Sequence, residues 1–102
     1  MARSLAQAHA PAVLAVQSSD LLGRAIRAQR LSQKLRIDDA AGLCAVSSGA
    51  LSRLETGKGG VQFDTVLRVL DGLGLGLALM GKATPTWLEL SRTSPPLNDD
   101  KP

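Results

Sequence analysis

Apolar residues recur at helical spacing through most of the middle of this chain. Leu22, Ala25 and Ile26 share one face of a segment from about Asp20 to Lys34, and Arg24, Arg27, Arg30 and Lys34 occupy the others. That period predicts an amphipathic helix. Ser18 and Ser19 supply capping hydroxyls ahead of Asp20, an acid for the first turn, and Lys34 suits the negative end of the dipole. A second, brief helix is predicted from about Asp38 to Cys44, with Asp38 and Asp39 at its N-terminus. After a tight connection around Ala45 and Val46, Ser47 or Ser48 caps a third helix reaching about Glu55, with Leu51 and Leu54 facing inward. Thr56-Gly-Lys-Gly-Gly then breaks the chain. Phe63, Val66, Leu67 and Leu70 predict one face of a fourth helix, ended by Gly72 or Gly74.

The period then changes. In DGLGLGLALMGK, residues 71 to 82, leucine falls on every second position: Leu73, Leu75, Leu77 and Leu79. Alternation of this kind predicts a half-buried strand, and a strand needs a partner for its backbone donors and acceptors. Ala12 to Val16 is one candidate, read either as a short strand or as part of a loosely ordered extension. Glycines at 74 and 76 weaken a strand, so a helical or irregular segment is the competing expectation. The chain thus divides into an N-terminal extension (1–18), a helical domain (19–73), a strand (74–81) and a polar, Pro-rich, flexible tail (82–102).

Composition narrows the class. One Phe, one Trp and no Tyr suit a small helical core better than a sandwich or barrel. Cys44 is the sole cysteine, which excludes an intrachain disulfide and fits a reducing cytoplasm. No stretch is long and apolar enough for a membrane span. Charge is uneven: residues 1–58 balance to +4 and residues 59–102 to −1. A basic front half is what a nucleic-acid face requires, although Arg24 and Arg27 equally serve to solvate the first helix. No enzyme is expected and no cofactor or metal. His9 is alone, no Cys/His ligand spacing occurs, and GLGLG lacks the strand-to-helix setting of a dinucleotide fingerprint.

The second and third helices, separated by about three residues, have the spacing of a helix-turn-helix. Ala41 is small where they would cross, while Val46, Leu51 and Leu54 anchor the second of them. The segment resembles the lambda-repressor-like (Xre) family, through Ala41, Val46-Ser47 and SRLETGK at 52–58, with the likeness running from about Leu22 to Leu73. Where that family usually has Gln at the start of the first motif helix and Gly in the turn, this chain has Ile37 and Ala45.

The resemblance implies a mainly α, four-to-five-helix DNA-binding domain and a sequence-specific transcriptional repressor. It puts Ser47, Ser48, Gly49, Ser52 and Arg53 near base edges, Arg53 bonding either guanine or a phosphate. Arg30, Arg36 and Lys58 become phosphate contacts. Glu55 is expected in a structural ion pair or cap, since a carboxylate among phosphates is unfavourable. A strand directly after such a domain is similar to HipB-type antitoxins, in which it pairs across a dimer axis. This implies a homodimer on a palindromic operator, joined through Leu75, Leu77 and Leu79, and a HipA-like kinase toxin as a protein partner. Trp87, Leu88 and Leu90 are the expected docking patch for that toxin. A stand-alone Xre-family regulator is the alternative.

Overall fold

A computed structural model describes residues 13–92, and among these five helices follow one another. They are α1 (Ser19–Ser32), α2 (Ile37–Cys44), α3 (Ser48–Glu55), α4 (Phe63–Gly72) and α5 (Pro85–Arg92). Each of the first four helices stands within a few residues of where the apolar period predicts it. Ser18 caps α1, its hydroxyl accepting the Leu21 N–H at 3.0 Å.

Helix α1 packs against α3, and α2 packs against both α3 and α4. Ile26, Leu51, Val69 and Leu73 are fully buried at the centre, with Ala40, Ala41 and Cys44 filling the space beside them. Gly23 sets the spacing of α1 on α3, because a methyl there would collide with the Leu54 carbonyl oxygen. Gln29 and Gln33 reach from α1 and its end to donate to the Leu73 carbonyl, at 2.9 and 2.8 Å. These two bonds tie α1 to the C-terminal end of α4, where carbonyls lack helical partners.

The four helices of the bundle end alike. Residues Lys34, Ala45, Gly57 and Gly74 all take positive φ. Each N–H there bonds three residues back, and the following N–H bonds five residues back, as in Val46 N–H to the Ala41 carbonyl at 3.0 Å. This is the Schellman stop, which favours glycine because L side chains crowd the left-handed region. Lys34 and Ala45 adopt it without being glycine.

Two expectations need correction, and the expected strand is not seen in the single chain. The buried face of α4 is Val66, Val69 and Leu70, continued by Leu73, while Phe63 is 61% exposed and Leu67 lies on the same outer side. Helix spacing explains it: 66, 69, 70 and 73 form one stripe, and 63 and 67 fall beside it. The tail is helical over Pro85–Arg92. Its start carries a recognisable signal, for Pro85 occupies the first helical position and the Thr84 hydroxyl accepts the Trp87 N–H at 3.2 Å. As for the strand expected at 74–81, residues 75–81 form no helix in the single chain, and no strand occurs among the described residues, 13–16 included. A strand exists only through its ladder, and nothing among the described residues of this chain supplies one.

Residues 13–16, the 75–80 segment and α5 surround an apolar groove of about 590 Å³, floored by Leu22, Ala25 and Leu70. Ala15 is buried there. Readings that concern residues 1–12, including His9, and residues 93–102 fall outside the described part of the chain.

Candidate nucleic-acid interface

Ala45 and Val46 turn the chain from α2 into α3, with Ala45 at φ 60° and ψ 42°. Ser47 then caps α3, its hydroxyl accepting the Ala50 N–H at 3.0 Å. Inward, α3 commits Leu51, Leu54 and Glu55 to the interior. Outward, Ser47, Gly49, Ser52 and Arg53 are exposed and Ser48 is half-buried. The five residues expected at base edges therefore lie together on the N-terminal and outer side of one short helix.

Two of them are held by neighbours. The Ser48 hydroxyl donates to Asp38 on α2, Oγ to Oδ1 at 2.7 Å. Arg53 donates through Nη2 to the Gly59 carbonyl at 3.1 Å, which ties it to the glycine loop after the helix. Gly49 has nothing within 4 Å of where a Cβ would stand, so its outer face is open.

The cations expected at phosphates separate into two kinds. Arg36 and Lys58 are exposed. Arg36 makes only a loose pair with Asp39 at 3.9 Å, both side chains being well solvated. Arg30 is different: it is 8% exposed and lies inside the bundle. Its Nε and Nη2 donate to Glu55 at 2.6 and 2.9 Å, and its Nη1 donates to the Leu35 carbonyl at 2.9 Å. The hydrogen bond to Glu55 pushes the guanidinium pKa further up, against the opposing pull of burial. A cation so committed is a bolt between α1 and α3, so Arg30 leaves the phosphate set. Glu55 has the structural role expected of it.

Sequence reading missed the Arg30 placement and the Ser48–Asp38 bond. The first had a signal: Arg30 stands four residues after Ile26, and Glu55 four after Leu51, so both continue buried stripes. The second had none, because Asp38 reads equally well as a first-turn acid.

Of the residues expected to join two chains, Leu75 is half-buried against the chain's own core, while Leu77 and Leu79 are 49% and 96% exposed. Trp87 and Leu90 line the chain's own groove, and Leu88 faces solvent. Among the described residues no three His, Cys, Asp or Glu gather as a metal site would require, and no helix is long and apolar enough to cross a membrane.

A family model described as a helix-turn-helix domain matches residues 21–83. No curated protein matches the chain. Among solved structures it is similar to the clp gene regulator ClgR from C. glutamicum, with a TM-score of 0.52 and 29% identity. That match covers 61% of this chain and 80% of the other.

Proposed function

The chain belongs to the helix-turn-helix domain family, and we propose that it is a sequence-specific DNA-binding transcriptional repressor acting as a homodimer. The observation that carries this reading is the outer face of α3, where small polar side chains and Arg53 stand clear of the core. A helix with that face fits the major groove, whose base edges offer donors and acceptors to hydroxyls and to a guanidinium. Ser47, Ser48, Gly49, Ser52 and Arg53 then meet bases, while Arg36 and Lys58 meet phosphates. The chain's likeness to a clp gene regulator supports a regulatory role without catalysis.

One such helix gives modest affinity, and two related by a two-fold axis read a palindromic operator. The exposed Leu77 and Leu79 on a segment without a ladder partner among the described residues support 74–81 as the joint between copies. The same exposed segment also favours a second reading, a HipB-type antitoxin with a HipA-like kinase toxin as partner. Co-purification with a kinase-like product of an adjoining gene would favour that reading, and its absence favours the stand-alone regulator.

The test of the main reading is a gel shift with duplex from the chain's own upstream region. Specific binding that weakens steeply with salt is the expected result. Equal affinity for random duplex at every salt concentration would overturn it.

A further inference from the structure

Ser47 and Ser48 are adjacent hydroxyls that the surrounding structure wires in opposite senses. A free serine hydroxyl both donates and accepts, so by itself it discriminates poorly between bases. At Ser48 the single hydroxyl hydrogen is spent on the Asp38 carboxylate oxygen, 2.7 Å away. Only lone pairs remain on its outward side. At Ser47 the oxygen accepts the Ala50 N–H, and the hydrogen is left to donate.

We propose that Asp38 is a positioning residue that turns Ser48 into an acceptor and so makes it select, at the position it faces, a base whose major-groove edge presents a donor. In the major groove those donors are the adenine N6 and cytosine N4 amino groups, whereas guanine and thymine offer acceptors at the matching edge. Ser48 therefore prefers adenine or cytosine at the base it faces. Ser47, with its hydrogen free, suits a phosphate oxygen or an acceptor edge instead. This inference rests on the DNA-binding reading above and assigns Asp38, on the other helix of the motif, a part in sequence choice.

The experiment is selection from a randomised duplex pool by the full chain and by Asp38→Ala, Ser48→Ala and the double variant. The wild type should favour adenine or cytosine at one position of each half-site by about fivefold, the worth of one neutral hydrogen bond. All three variants should lose that preference equally, because the two residues act as one unit. Overall affinity of Asp38→Ala should rise on every sequence, since a negative charge near phosphates is removed; base preference is therefore the readout. Asp38→Asn, whose amide can donate as well as accept, should extend the preference to guanine and thymine, and it preserves the shape of the site. An unchanged preference in Asp38→Ala and Asp38→Asn would overturn the proposal while specific binding stands. Loss in Asp38→Ala with retention in Ser48→Ala would make Asp38 the reader itself and overturn it too. No enriched sequence for the folded wild type would sink the DNA-binding reading along with it.

Discussion

Arg30 and Glu55 meet inside the bundle as a two-pronged pair, Nε to Oε2 at 2.6 Å and Nη2 to Oε1 at 2.9 Å. They stand 25 residues apart in sequence and link the C-terminal end of α1 to that of α3. The third prong, to the Leu35 carbonyl, draws in the connection leading to α2. One buried guanidinium thus fixes the helix that carries the exposed serines against the scaffold behind it.

Removing one partner should be far worse than removing both. Glu55→Ala leaves a buried charge without its counter-ion and should cost about 3 kcal/mol in urea unfolding. Replacing Arg30 by Met and Glu55 by Leu together should recover most of that loss, since the desolvation of both charges disappears. A double variant as unstable as Glu55→Ala would show that the pair is intrinsically stabilising.

The turn between α2 and α3 makes a second prediction. Ala45 sits at φ 60°, a conformation that costs an L residue roughly 1–2 kcal/mol relative to glycine. Glycine gives back part of that gain through the freedom it has when unfolded. Ala45→Gly should still stabilise the chain by about 0.5 kcal/mol and raise its melting temperature by about 2 °C. Lys34→Gly at the end of α1 should act in the same direction. Ala45→Val should do the reverse, because a branched side chain in this region is an outlier.

Such positions mark how far the sequence can be read. Helices α1 to α4 are legible because apolar residues recur in each at helical spacing, helped by serine caps on α1 and α3 and glycine stops after α3 and α4. The Ala45 turn is legible from its place between two short helices, though the residue that should signal it is absent. Phe63 and Leu67 mislead because size and apolarity argue for the interior, whereas the stripe through Val66, Val69, Leu70 and Leu73 has the better spacing. Arg30 misleads for the opposite reason: its charge points to solvent, and its spacing from Ile26 points inward. At the interface, the exposed set on α3 follows from the helical period. The Ser48–Asp38 bond does not, since it depends on the angle at which α2 meets α3.

Cys44 carries a pH dependence whose sign is fixed by its surroundings. Its thiol lies 3.7 Å from the Val69 carbonyl and against Gly72, and burial, then the nearby Asp71 charge, pushes its pKa up. The folded state therefore holds the thiol proton more tightly than the unfolded chain does. The resulting stabilisation is complete below the unfolded value, about 8.5, and is lost as pH rises through the folded one. Urea midpoints should fall as pH rises above about 8.5, and that component should vanish in Cys44→Ala. A thiol reagent at neutral pH should label the native chain only as fast as it opens. Immediate labelling would show that Cys44 is not enclosed.

Leu77 and Leu79 test whether two copies join through the 74–81 segment. In the single chain Leu77 is half exposed and Leu79 96% exposed, and neither contributes to the buried core of the bundle. The double substitution Leu77→Asp with Leu79→Asp should therefore leave the helical content and melting temperature of the bundle nearly unchanged. If the 74–81 segments of two chains pair, the same change places like charges opposite one another across the axis, which destabilises a ladder. Sedimentation should then report a monomer where the wild type is a dimer. Operator affinity should drop about tenfold or more, because linkage of two recognition helices is lost. Leu75→Ala, by contrast, should lower stability first, since the Leu75 side chain packs on its own core. A doubly substituted chain that still sediments as a dimer would place the joint elsewhere.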